Sequence, residues 1–268
     1  MKKHEKEEKK QKWKILKYIL IIIFSLAILA GITYISITFY MDYKQKSNYE
    51  ELSGYMEDNE VIEETAEKVE DIKTEKMIKL EELNTENEDI VAWLEIDGTD
   101  ISYPILQAED NSYYLNHDYQ KNYAATGSIF LDKDVDLSLP STNFLMYGHR
   151  NKNGLMFEKL LNYKDESFYK EHKKIRFTTL NEDAEYEITS VFYSRVYYKD
   201  ETNVFRYYYF INAETEEEYN EYVDNCKKAS IYDTGVTANY GEQLITLSTC
   251  EYSQENGRFV VVAKKIEK

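Results

Sequence analysis

The sequence predicts a mainly β fold of the α+β kind: an eight-stranded, closed or nearly closed β-barrel with peripheral helices, preceded by one transmembrane helix. Three observations carry this prediction. Eight short β-rich runs follow one another after residue 90. An uncharged apolar stretch of about 24 residues stands behind a lysine cluster, and roughly 20 suffice to cross a bilayer. Between these two regions, apolar residues recur at helical spacing in an acidic background.

Residues 1–17 carry eight Lys and three Glu, a net of +5, whereas the whole chain of 268 residues stands at -17. The rest is therefore strongly acidic, which argues against a nucleic-acid partner, since phosphate binding needs concentrated Lys and Arg. The run "YILIIIFSLAILAGITYISITFYM", residues 18–41, is too long for a secretory h-region and bulky at its outer end, so it reads as a retained anchor. The lysines ahead of it mark the cytoplasmic side and put everything after Asp42 outside the cell.

Residues 42–74 read as an acidic helical spacer, and the folded domain is expected over 75–268. Val61, Ile62, Ala66, Val69, Ile72, Met77, Ile78, Leu80 and Leu83 supply the helical period. The later part of the run is expected to pack on the domain, and the charges to form a solvated helix face.

The strand runs are "AWLEI", "ISYPIL", "GSIFLD", "NFLMYG", "KIRFTTL", "EYEITSVFYSRV", "QLITLSTC" and "RFVVVAKKI". Two helical segments interrupt them, "LMFEKLLNY" after Gly154 and a longer one over residues 213–232, between the sixth and seventh strands. A connector of that length has a packing role of its own or a role beside a site.

In "QLITLSTC", Leu244, Thr246, Ser248 and Cys250 share one face, which puts Cys250 at a strand end. Seven residues separate it from Arg258, which opens the next strand, and pairing of the two runs as a hairpin sets the two nearly opposite. A guanidinium beside a thiol favours the thiolate, and it can also hold the oxyanion of an acyl transfer. Among four histidines, His4 is cytoplasmic and His117 and His172 lie in polar loops. His149, after "NFLMYG", projects from a strand end as Cys250 does. Tyr147 and Asn143 are candidate supports for it. Cys226, on the long helix, reads as a small packed residue. Without a Cys-x-x-Cys or a His-rich cluster, no metal or cofactor is called for.

"TLSTC", "YGHRNKNGLMF" and "NGRFVV" resemble the signature segments of sortases, membrane-anchored cysteine transpeptidases of Gram-positive surfaces. The resemblance covers about residues 75–266 and implies a sortase-like barrel, with Cys250 as nucleophile, His149 as acid and base, and Arg258 as oxyanion stabiliser. It adds a backbone N–H of Glu251 to the oxyanion pocket and makes Thr249 and Ser248 candidates to support the substrate or Arg258. The helices before the barrel, "WLEIDGTDISYPILQ" and the long helix over 213–232 are similar to class B. Class A lacks that helix, and a class C lid with a DPW-like motif is absent.

The implied reaction cleaves a sorting motif of secreted proteins, NPQTN-like or LPxTG-like, after Thr. The acyl group then passes to an amine of the peptidoglycan precursor or of a pilin. Other cell-wall cysteine enzymes, such as L,D-transpeptidases or NlpC-like peptidases, and a non-catalytic surface binding module are the competing readings.

Overall fold

A computed structural model describes residues 2–57, 73–139, 141–151 and 153–267. Val61, Ile62, Ala66, Val69 and Ile72, placed in the spacer by their period, lie outside the described residues. The chain forms two compact units, residues 1–50 and 51–268. Helix α1 (Lys2–Met56) carries the apolar stretch, in which an 18-residue window has a mean hydropathy of 2.6 and the large apolar side chains are exposed. By length and composition it is able to cross a membrane.

In the second unit, Thr74 caps helix α2 (Glu75–Glu86) by accepting a hydrogen bond from Met77 N at 3.3 Å. Met77, Leu80 and Leu83 face inward, and Leu80 and Leu83 pack with Leu52, Met56 and Trp93. Ile78 lies off this face and is 44% exposed, so it does not join the buried stripe expected of it.

All eight predicted strands form: β1 (Ile90–Glu95), β2 (Ser102–Leu106), β3 (Ile129–Leu131), β4 (Asn143–Gly148), β5 (Lys174–Thr179), β6 (Asp183–Arg195), β7 (Leu244–Cys250) and β8 (Gly257–Lys265). They close a barrel in the order β1-β2-β3-β4-β7-β8-β6-β5. The β2/β3 and β4/β7 pairs are parallel and the others antiparallel. Closure leaves no open edge to pair with other chains.

The segment "LMFEKLLNY" forms no α-helix: its second half enters a 3-10 helix (Lys159–Lys164), and a short helix α3 (Glu166–Glu171) follows it. The long connector helix α4 (Glu216–Ala229) is shorter than the expected 213–232. Thr215 starts it by capping Glu218 N, and Ser230 ends it in an extended conformation. Three glutamates in its first turn and two lysines in its last complement the helix dipole.

Helix α4 covers the outer face of the barrel. Tyr219, Tyr222 and Cys226 pack on Leu145, Leu244, Val260 and Val262, and the Tyr222 hydroxyl meets Thr246 Oγ1 at 2.9 Å. Because side chains alternate along a strand, Thr246, Ser248 and Cys250 share this covered outer face, while Ile245, Leu247 and Thr249 point into the barrel. The two cysteines are free; Cys226 is fully buried, as a small packed residue should be.

Candidate active site

The register brings three predicted residues together on neighbouring strands. Cys250 pairs with Arg258 across the β7/β8 hairpin. In the parallel β4/β7 pair, Gly148 stands opposite Thr249, so His149, one residue further, lies beside Cys250. Local sequence sets the approach. A Cβ at Gly148 would come within 2.6 Å of the Phe157 ring, and Phe157 N donates to the His149 carbonyl at 3.0 Å. Glycine before the histidine therefore lets the returning segment close under it.

The electrostatics of the pair point one way. The His149 hydrogen bond holds the Cys250 thiol below its ordinary value, against the opposing effect of burial, with help from the Arg258 charge. The Cys250 hydrogen bond and the Leu115 carbonyl raise His149, again against burial. Both movements favour a thiolate facing an imidazolium, and such a pair titrates as one coupled unit. His149 Nε2 lies 2.8 Å from the Leu115 carbonyl, which can only accept. Nε2 therefore carries the proton, and Nδ1 is left for the thiol.

Arg258 Nη1 donates to the backbone just before it, to Gly257 O at 2.9 Å and Asn256 O at 3.3 Å. Among the described residues no carboxylate pairs with it, in a chain whose net charge is -17. A half-buried guanidinium with no carboxylate partner among the described residues, beside a thiol whose pKa is held down, can receive a developing negative charge.

The remaining predicted residues behave differently. The Glu251 N–H donates to Gly257 O at 3.0 Å, which closes the hairpin, so it is not open to an oxyanion as expected. The Glu251 carboxylate accepts from Ser253 N at 2.9 Å and organises the turn. Ser248 shares the Cys250 face and bonds the buried Tyr207 hydroxyl at 2.7 Å. Thr249 points into the barrel, on the face opposite Arg258, and its hydroxyl is buried without a hydrogen-bond partner. Tyr147 bonds Asp132 at 3.0 Å rather than His149. Asn143 lies at the far end of β4, about 20 Å along the strand from His149, where it accepts from Thr246. His117 stacks on Tyr113, and His172 bonds the Asp97 carbonyl, both in structural contacts.

Sequence reasoning missed a clamp between the segments that carry the histidine and the cysteine. The Arg150 guanidinium lies 5.3 Å over the Tyr252 ring, and the Tyr252 hydroxyl reaches Arg150 O at 3.4 Å. Arg150 also pairs with Glu158 at 3.4 Å. Their positions directly after His149 and two residues after Cys250 were the available signal. The Leu115 carbonyl offered none, because a backbone acceptor has no residue type.

The sortase domain model matches residues 94–266. Sortase B of Staphylococcus aureus is 34% identical over 191 residues, covering 70% of this chain and 75% of that protein. Sortase B of Listeria monocytogenes is 36% identical over 194 residues, covering 71% and 75%. Among solved structures, the Staphylococcus aureus sortase B–substrate complex superposes with a TM-score of 0.69 at 29% identity, covering 84% of this chain and 98% of that one.

Proposed function

The chain belongs to the sortase family, and on that premise we propose that Cys250, His149 and Arg258 perform its transpeptidation. Class B is the subfamily of its relatives, and a sortase transpeptidase is the activity they support. The opposed pKa movements of Cys250 and His149, beside an arginine with no carboxylate partner among the described residues, are the observation that carries the assignment of roles.

The Cys250 thiolate attacks the threonine carbonyl of a sorting motif, forming a C–S bond and an oxyanion that Arg258 holds. As the tetrahedral intermediate collapses, the C–N bond breaks and the His149 imidazolium gives its Nδ1 proton to the departing amine. A thioester remains on Cys250. An acceptor amine then attacks it, His149 Nδ1 takes up the amine's proton, and a new amide leaves the thiolate restored. The Glu251 N–H joins the oxyanion only if its bond to Gly257 O opens. Ser248, through Tyr207, keeps the end of β7 in place.

The substrates in this reading are secreted proteins with NPQTN-like or LPxTG-like motifs, and the acceptor is an amine of the peptidoglycan precursor or of a pilin. The lysines of residues 1–17 support a cytoplasmic N-terminus, with residues 18–41 in the bilayer, 42–74 as spacer and 75–268 catalytic outside. Cleavage of a panel of fluorogenic motif peptides by residues 51–268 tests the proposal. Cys250→Ala and His149→Ala should each abolish cleavage, whereas full activity in either variant refutes the assigned roles.

A further inference from the structure

His149 is held through the nitrogen that does not serve the thiol. Its Nε2 donates to the carbonyl of Leu115, the last residue of a 3-10 turn (Tyr113–Leu115). That turn is anchored on several sides. Asp110 Oδ1 accepts from Ser112 N at 2.7 Å and from Tyr113 N at 2.9 Å. The Tyr114 ring is buried, and its hydroxyl donates to Asp89 at 2.6 Å. Ser128 N donates to Tyr114 O at 2.9 Å, which brings the backbone of residues 127–128 against the turn.

At this crossing stands Gly127, buried, with φ +59°. A Cβ there would lie 2.6 Å from Tyr114 O and 2.7 Å from Leu115 O. Both are backbone atoms, so no flexible side chain can yield to make room. Any side chain at 127 crowds the carbonyl that accepts the His149 hydrogen bond, and the backbone there must shift. We propose that Gly127 is a positioning residue for His149. By having no side chain it lets the Leu115 carbonyl reach Nε2, which fixes the ring so that Nδ1 is the nitrogen presented to Cys250.

The proposal rests on the roles given above to Cys250 and His149, so its test reads the thiol directly as well as turnover. The rate of Cys250 alkylation by iodoacetamide is followed against pH, with peptide mapping, in wild type, Gly127→Ala and Gly235→Ala. Gly235 also has a positive φ, +74°, but nothing lies within 4 Å of its Cβ position, so it controls for backbone strain. Gly127→Ala is expected to move the thiol midpoint up toward the ordinary value of 9.0, with about a tenfold loss of reactive thiolate for each unit moved. It should also lower kcat about tenfold or more with KM little changed. Gly235→Ala should match wild type in both readouts.

A folded Gly127→Ala whose alkylation profile and kcat equal those of Gly235→Ala overturns the proposal alone. A wild-type Cys250 with an ordinary thiol profile that His149→Ala does not alter overturns the Cys250–His149 pairing, and the proposal with it. Should Gly127→Ala fail to fold, 15N NMR of wild-type His149 above its titration decides: a proton on Nε2 supports the proposal and a proton on Nδ1 overturns it.

Discussion

Replacing Arg258 by alanine removes a cation that stands opposite Cys250 and, among the described residues, has no carboxylate partner. Nη1 is fixed by Gly257 O at 2.9 Å and Asn256 O at 3.3 Å, so the guanidinium is already oriented before substrate arrives. A preorganised donor of this kind contributes chiefly in the transition state, where loss of one oxyanion donor costs on the order of 10²–10³ in kcat. The Glu251 N–H is engaged with Gly257 O and offers no immediate substitute, which puts the expectation at the upper end of that range. Arg258→Lys keeps the charge but loses the planar fork and its two backbone anchors, so it should recover only part of the loss. Steady-state cleavage of a motif peptide gives kcat and KM, and iodoacetamide alkylation reports the thiol separately. Arg258 ranks behind the His149 hydrogen bond among the influences that lower the Cys250 pKa, so alkylation should slow far less than kcat falls. A kcat within about threefold of wild type in Arg258→Ala would refute the oxyanion role.

The pH dependence follows from the coupled pair. Cys250 titrates below 9.0 and His149 above 6.5, so kcat/KM should fall toward acid as the thiolate protonates and toward alkali as the imidazolium is lost. A profile still rising through pH 10 contradicts this. His149→Ala should move the alkylation midpoint of Cys250 up toward the ordinary thiol value, and an unchanged midpoint counts against the pairing. Thr249→Val removes a buried hydroxyl that has no partner and should leave stability unchanged or raise it by about 1 kcal/mol, read by thermal unfolding. A loss of more than about 1 kcal/mol would mean that the hydroxyl has a partner after all. Gly148→Ala drives a Cβ to 2.6 Å from the Phe157 ring and should destabilise the domain by about 1–3 kcal/mol, together with lowering activity through His149.

Much of the barrel was legible because the strand runs are rich in β-branched and aromatic residues and separated by polar segments, and all eight runs became strands. The Cys250/Arg258 apposition was legible for a local reason: seven intervening residues and two pairing runs fix a hairpin. His149 was different: its place at a strand end was legible, but the parallel β4/β7 pairing joins segments about 100 residues apart, and its place beside Cys250 rested on the motif resemblance. Which way a backbone N–H points could not be read at all. Glu251 was expected to offer its N–H, but the turn closes through that group, and Asn256 at φ +55° helps set the turn. Thr249 shows the limit of a motif. It adjoins Cys250 in sequence, yet strand alternation sends it to the opposite face. Asn143 and His149 belong to one segment, but the extended strand separates them by most of its length.

Intact-mass measurement of residues 51–268, mixed with sorting-motif peptides and quenched in acid, bears most directly on the assignment of Cys250 as nucleophile. The mechanism predicts a mass increase equal to the peptide acyl portion ending in threonine. It should map to Cys250, be removable by hydroxylamine and be absent in Cys250→Ala. Motif cleavage that persists in Cys250→Ala, or an adduct on any other residue, would contradict it.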